Sequence, residues 1–541
     1  MSISKKLIWI FPILLLATLW QLGSWGVTDT SEARYAEIAR EMINSHNWLM
    51  PSLLGIYHFD KPPFVYWITA LGMNLFGVNA FGARFFLTIA YLLQIFLVYK
   101  IVLELFQSRR KAFFSALIYT GVPIVLISIR TLTIDAYLNT LELTAVLFLI
   151  MYFRQRKPGM LYLYFIALGL CIFAKGPVGI IIPVLMIYPI RKILNVQGCK
   201  NGLHIGLGIA LTLFIGGWWF VFLMIQSNDF YHFLIREQLI KRMTDAGAFK
   251  RARPFWYYFA FLSAALMPTI FLLPQAIRDS IRQKATGMNW LACWGLLIPL
   301  LFFSAISSKL LLYVLPLAPY AAITCGWFID EAPEQTIKKY YRLTVGFYAI
   351  LLLGFLLLFI GLIPVFAYKP SVSAWMILIL ALLFILFFKT KSPKSDLVAL
   401  SLLFPLFIIP ISADFMSKSE LFINSTAPIA RFLKENRLDE NRKIIIWNFL
   451  LSSLSFELKK EIYSVKWRHY SLHRHTEFQE NTNWKKNLID VENAEEALYL
   501  KSLINSPSVL ISKKDDIPIQ YQYFLTSYQH TKSVGKWMIY Y

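Results

Sequence analysis

Asp29-Thr30-Ser31-Glu32-Ala33-Arg34-Tyr35-Ala36-Glu37-Ile38-Ala39-Arg40-Glu41-Met42 places six charged side chains in fourteen residues, directly after an apolar run that begins at Leu7. The surrounding chain is of another kind. Over 541 residues it is 57% hydrophobic and only 16% charged, and Phe alone fills 44 positions. Soluble domains carry about 25% charged residues, so lipid rather than water is the main solvent of this chain. The quoted stretch is therefore a polar island leaving a membrane span, and the fold turns on which side of the membrane it lies.

A span needs about 20 apolar residues. Runs that qualify are 7–25, 82–106, 112–129, 133–152, 160–174, 177–190, 203–225, 255–276, 290–305, 309–328, 344–367, 374–389 and 395–413, about thirteen in all. The N-terminal run reads as an uncleaved first span, because no small-residue cleavage site follows it. Lys and Arg favour cytoplasmic connections. With Lys5-Lys6 inside, the basic connections fall on one side: 109–111, 154–157, 191–200, 278–284, 338–342 and 389–394. The alternate connections, 26–81 first among them, fall outside, and an odd span count puts the tail from 414 outside as well. The same bias accounts for the net charge of +22 without nucleic acid, together with attraction to anionic membrane lipids. Four cysteines, Cys171, Cys199, Cys293 and Cys325, suggest neither a disulfide framework nor a thiolate metal site.

The first loop, 26–81, reads as a helix from Ser31 to about Asn44, capped by Thr30 or Ser31, and a second from Phe64 to about Phe76, opened by Pro62-Pro63. Tyr66 and Trp67 suit a helix lying along the interface. The tail, 414–541, alternates short patterns. Helices are expected at 425–435, 452–459 and 494–504, and strands at 443–447, 462–465, 508–512 and in the Tyr-rich 519–541. That alternation predicts a small α/β domain. It contains no nucleotide-binding glycine motif, which argues against a soluble nucleotide-sugar substrate.

Ionisable groups at membrane depth are functional by default. Here they gather on the outward side: Asp29, Glu32, Arg34, Glu37, His58, Asp60 and Lys61 in the first loop; Arg130 and Asp135; Lys175; Arg236, Glu237, Lys241, Arg242, Lys250, Arg251 and Arg253; Lys309 and Tyr313. An acid beside several cations can deprotonate an acceptor while the cations hold a phosphate, as group transfer from a lipid-linked phosphate needs. Each residue also has a structural reading. Asp29 and Glu32 suit a helix cap, Lys61 a snorkelling anchor, Asp135 an ion pair with Arg130, Lys309 a span-end anchor, and Arg251 and Arg253 headgroup contacts. Asp29, Glu32 and Asp60 also suit a shared divalent cation.

The first-loop stretch, with Asn47-Trp48, His58-Phe59-Asp60-Lys61-Pro62-Pro63 and Tyr66-Trp67, resembles the first periplasmic loop of bacterial 4-amino-4-deoxy-L-arabinose transferases, which group with protein O-mannosyltransferases among the GT-C glycosyltransferases. Arg130 through Asp135, Lys175-Gly176-Pro177, Arg253 through Tyr258, and Ser308-Lys309-Leu310 with Tyr313 and Pro316 extend the resemblance over roughly the first 330 residues. It implies a GT-C type polytopic helical fold of about thirteen transmembrane helices in the bacterial inner membrane, with periplasmic interfacial helices and a small C-terminal α/β domain. The division expected is 1–413, including the loop 26–81, and 414–541. It also implies a polyprenyl (undecaprenyl) phosphate-linked sugar donor, with lipid A, a glycan or a protein as acceptor, and a first-loop acid as base. The family's loop has Asp directly before Glu, whereas here Ser31 precedes Glu32. Asp29 and Glu32 both remain candidates, and the exit from the first span favours Asp29. Asp60-Lys61 replaces the commoner Glu-Lys at the donor phosphate, joined by Arg251 or Arg253. His58, where many members carry Tyr, Lys309 and Tyr313 are further donor-side candidates, and Asp135 supports the acceptor or a metal. The rival reading is a flippase for a lipid-linked sugar, which would show repeated halves and midspan charges. The sequence shows no repeat.

Overall fold

The computed structural model describes residues 3–29, 31–198, 202–226, 230, 253–283, 287–362, 368–387, 392–467 and 483–541. They form two compact units. One holds Met1–Leu22, Arg84–Gln226 and the described residues from 253 to Phe415. The other holds Gly23–Ala83, Phe230 and the described residues of Met416–Tyr541, so that the first loop groups with the tail.

Eight helices among the described residues are long and apolar enough to cross a membrane: Ala80–Phe106, Ile134–Gln155, Pro158–Lys175, Gly202–Gln226, Met288–Ala305, Leu311–Glu331, Glu334–Phe359 and Pro393–Lys418. Arg109–Thr120 and Pro123–Arg130 make a ninth if the pair is one span bent by 58°. Its break is Gly121-Val122-Pro123, where the proline removes a helical N–H. The count of thirteen is reached only by including short or broken pieces. The runs expected at 7–25 and 374–389 are the shorter helices Ile3–Leu19 and Val372–Phe387. The run 177–190 breaks into Pro177–Ile180, Ile181–Leu185 and Ile187–Ile193, and 255–276 into Tyr257–Ala265, Thr269–Phe271 and Leu273–Arg282. Pro177, Pro183, Pro189, Pro268 and Pro274 punctuate those segments, and each removes a backbone donor.

Connections of like character meet. Arg110 pairs with Asp330 at 3.0 Å, Lys111 with Glu331 at 2.5 Å, and Lys394 donates to the Asp330 carbonyl at 2.7 Å. The start of Ile134–Gln155, the end of Pro158–Lys175 and the turn at Tyr313 form a separate group, taken up below.

In the second unit the tail builds a six-stranded sheet. Its strands are β3 (Lys443–Trp447), β4 (Tyr463–Lys466), β5 (Leu488–Asp490), β6 (Ser508–Lys513), β7 (Thr531–Val534) and β8 (Trp537–Tyr540), following a two-stranded hairpin of β1 (Ser52–Leu53) and β2 (Ile56–Tyr57) in the first loop. The order is β5-β4-β3-β6-β8-β7, with the first four parallel and β8 and β7 antiparallel. β3 reads Lys-Ile-Ile-Ile-Trp because both its faces are covered. Ile444 and Ile446 pack with Val509, Ile511 and Ile539 against Ile38, Met42, Leu53, Leu54 and Tyr66 of the first loop. Ile445 and Trp447 face the other way, onto Leu500, Leu503, Ile504 and Phe524. The residues 519–527, expected as strand, form a 3-10 helix after Pro518. Their aromatic positions Tyr521 and Phe524 recur at a helical spacing and stack at 6.2 Å.

The first loop and the tail are also joined through backbone. Gly26 N–H donates to Glu420 Oε1 at 2.9 Å, Val27 N–H to Glu457 Oε1 at 3.2 Å, and Asp29 N–H to the Asn424 carbonyl at 3.0 Å. Thr28 bridges Ser425 antiparallel. A Cβ on Gly26 would lie 2.5 Å from Ser425 Oγ and 2.6 Å from Ala427 Cβ, so only glycine permits this approach. Gly26→Val is therefore expected to lower the thermal unfolding midpoint in detergent and to open the first loop to protease. Gly159→Ala, where a Cβ meets nothing within 4 Å, is the control expected to change neither.

Candidate functional site

The helix Ser31–Ser45 carries the polar island, and its acids have separate tasks. Ser31 is its first residue; Thr30, the other expected cap, lies outside the described residues. Glu32, buried, folds back so that its Oε2 accepts from Thr28 N–H at 3.0 Å and Thr28 Oγ1 at 2.8 Å, closing the helix's first turn. Glu37 is fully buried, forks onto Arg40 at 2.6 and 2.8 Å, and accepts from Ser455 Oγ at 2.7 Å. Glu41 accepts from Ser52 Oγ and from Leu54 N–H, both at 2.5 Å, and so fastens the β1–β2 turn. Burial and the Glu37 carboxylate push Glu41 up to about 7.

Asp29 precedes the helix and is half-buried. Its Oδ2 accepts from the Ser453 hydroxyl and its Oδ1 from Ser453 N–H at 3.3 Å. Burial pushes the carboxyl up to about 6, while the Ser453 hydrogen bonds and the charges of Arg34 and Lys536 pull the other way. Asp29 is thus a half-buried acid whose pKa of about 6 lies in the range suited to a general base. Further along the loop, His58 Nε2 lies 3.7 Å from Asp60 Oδ2, and both side chains are largely buried. Lys61 follows, half-buried, just ahead of Pro62-Pro63 and the helix Phe64–Phe76.

In the helical unit Asp135 opens Ile134–Gln155 and Lys175 closes Pro158–Lys175, so an acid sits at one helix's positive end and a cation at its neighbour's negative end. Lys175 Nζ is 2.5 Å from Asp135 Oδ1 and 4.5 Å from the centre of the Tyr313 ring. The expected partner of Asp135, Arg130, instead donates to the carbonyls of Thr18 at 2.7 Å and Trp20 at 3.2 Å. Lys309 is buried and donates to the carbonyls of Ile306 at 2.5 Å and Arg253 at 3.2 Å, and Arg253 N–H donates to the Ser307 carbonyl. Lys309 therefore ties the Arg253 segment to its neighbouring connection, with Arg253 exposed. Arg251 lies outside the described residues, as do Arg236, Glu237, Lys241, Arg242 and Lys250.

Asp29, Glu32 and Asp60 are the carboxylates suggested as a shared metal set. Their partners are Ser453, Thr28 and His58 respectively, and among the described residues no three His, Cys, Asp or Glu side chains converge as a metal ion would need. Sequence reasoning missed Ser453 and Thr426, whose only signal is tertiary. It also missed Glu142, two helical turns from Asp135 on the same face, whose buried Oε2 has no hydrogen-bond partner among the described residues. The spacing of seven was its signal.

A family model described as dolichyl-phosphate-mannose-protein mannosyltransferase matches residues 60–220. The undecaprenyl phosphate-alpha-4-amino-4-deoxy-L-arabinose arabinosyl transferase of Pectobacterium atrosepticum is 30% identical over 374 residues, 66% of this chain and 66% of that one. The protein of the same name from Aeromonas hydrophila is 31% identical over 348 residues, 61% and 62% of the two chains. The chain thus spans just under two thirds of the length of these relatives. The crystal structure of ArnT from Cupriavidus metallidurans bound to undecaprenyl phosphate superposes with a TM-score of 0.80 at 19% identity, covering 100% of this chain and 98% of that one. The fold is that of a polytopic, α-helical membrane protein of the GT-C type with a small α/β tail domain. Within that class, the chain is similar to 4-amino-4-deoxy-L-arabinose transferases and related protein-mannosyltransferase-like proteins.

The Asp135–Lys175 pair allows a direct check. Removing one partner of a largely buried ion pair leaves an uncompensated charge, at a cost of about 3–5 kcal/mol. Lys175→Met is expected to lower the unfolding midpoint sharply, and adding Asp135→Leu is expected to recover most of the loss.

Proposed function

We propose that the chain is an inverting membrane glycosyltransferase that moves a sugar from a polyprenyl phosphate, of the undecaprenyl type, to an acceptor such as lipid A. The carrying observation is Asp29: a half-buried acid with a pKa of about 6, oriented by two hydrogen bonds. The names of the relatives support the donor class. The reaction reads as follows. Asp29 takes the proton of an acceptor hydroxyl, the oxygen attacks the anomeric carbon in line, and the bond from that carbon to the phosphate oxygen breaks. The polyprenyl phosphate leaves with the electron pair, its charge met by Lys61. Asp60, held by His58, fixes the turn that carries Lys61. In the helical unit Asp135 stands beside Lys175 and Tyr313, and Lys309 sets the position of Arg253. Glu32 serves as a cap, since its carboxylate is already committed to Thr28. The basic connections of the chain favour an inner-membrane placement with the first loop and the tail on the periplasmic side.

The acid is a base only when ionised. Because its pKa lies near 6 rather than at the usual carboxylate value, turnover is expected to fall about tenfold per pH unit below roughly pH 6. In reconstituted vesicles with a radiolabelled polyprenyl-phosphate sugar and lipid A, Asp29→Asn is expected to lose at least about 100-fold in turnover while still inserting. Glu32→Gln is expected to cost stability more than turnover. Near-normal activity in Asp29→Asn would remove Asp29 from the mechanism.

A further inference from the structure

Asp29 is oriented by Ser453 of the tail, 424 positions away in sequence. Ser453 is fully buried, and its hydroxyl and backbone N–H grip the two carboxylate oxygens. Behind it, the Thr426 hydroxyl lies 2.6 Å from the Ser453 hydroxyl, also buried, and either atom can be the donor. Thr426 stands at the start of the helix Ala427–Glu435 yet makes no capping bond with its side chain, which leaves the hydroxyl for Ser453. The sheet explains the delivery. Strand order reverses between β3 and β6, the place where doubly wound sheets hold ligands beyond the carboxyl ends of their strands. The connection leaving β3 carries Ser453, and what it holds is a carboxylate of the chain's own first loop.

We propose that Ser453 and Thr426 form a reversible hydroxyl chain that positions Asp29 through both halves of its proton cycle. This rests on the reading of Asp29 as the base. When Asp29 is ionised, Ser453 donates to it and accepts from Thr426. When Asp29 has taken the acceptor's proton, the carboxyl O–H can donate to Ser453, which then donates to Thr426. Two hydrogen bonds exist in either state, so a base that must be charged before the step and neutral after it keeps one orientation throughout. The charged groups around Asp29 are Arg34 on the Ser31–Ser45 helix, Lys536 in the β7–β8 turn, Glu457 on the Ser452–Leu458 helix, and Glu32 and Glu420, each bound to the backbone just before Asp29. None of these substitutes for a hydroxyl that both donates and accepts.

The test is steady-state transfer by the full-length protein in vesicles, across pH. Ser453→Ala is expected to lower kcat about 10–100-fold with KM for donor and acceptor unchanged, and to move the acidic limb to higher pH, because the carboxylate loses a donor. Thr426→Val, which keeps the shape but not the hydroxyl, is expected to lower kcat several-fold and shift the limb the same way, while Thr426→Ser restores both. Unfolding midpoints of the three variants separate these effects from misfolding. An unchanged kcat and limb in Ser453→Ala and Thr426→Val, with Asp29→Asn inactive, would overturn this inference and leave the base intact. An active Asp29→Asn would instead overturn the reading on which it rests.

Discussion

The structure of the first loop depends on how a chain leaving a membrane span satisfies its backbone. Gly26, Val27 and Asp29 emerge with donors that no helix of their own can use. Two buried or half-buried glutamates and a carbonyl of the tail receive them, across a contact that only Gly26 can make. Once that contact exists, the rest of the unit follows. Ile38 and Met42 of the loop complete the hydrophobic face that Ile444 and Ile446 of β3 present, and Glu37 receives Ser455. The tail is therefore not an appendage to the first loop but half of its core.

The polar groups of the helical unit obey a different constraint. There, charges persist because helix ends supply part of the compensation and a neighbouring side chain supplies the remainder. Asp135 and Lys175 occupy opposite helix termini and pair directly. Arg130 and Lys309 instead direct their charges to backbone carbonyls, which secures the ends of broken or bent segments. The same residue types thus serve either as a direct ion pair or as staples, and only the partner atoms tell which.

Much of this was legible in sequence where the determinant was local. The helices Ser31–Ser45 and Phe64–Phe76 follow from their periodicity and from Pro62-Pro63, and β3 follows from its unbroken apolar run. Clustering of charge near span ends pointed to Asp29, Asp60, Lys61, Asp135 and Lys175. What was missed depends on distant partners. The β1–β2 hairpin turns through Leu54 at φ 54°, a conformation no Leu signals, and it is held by Glu41 from another element. Ser453 stands 424 residues from the carboxylate it orients. Spacing leaves Asp29 and Glu32 as alternatives, and it gives no sign that Glu32 is committed to Thr28. Hydropathy does not register how prolines divide 177–193 and 257–282 into short pieces.

The central claim is that loop and tail are one cooperative body presenting Asp29. Hydrogen–deuterium exchange of the full-length protein in lipid nanodiscs tests it most directly. The account predicts that the amides of Gly26, Val27 and Asp29 are protected to the same degree as those of β3 and β6, and that they open together with them. Fast exchange at 26–29 beside a slowly exchanging sheet would contradict it.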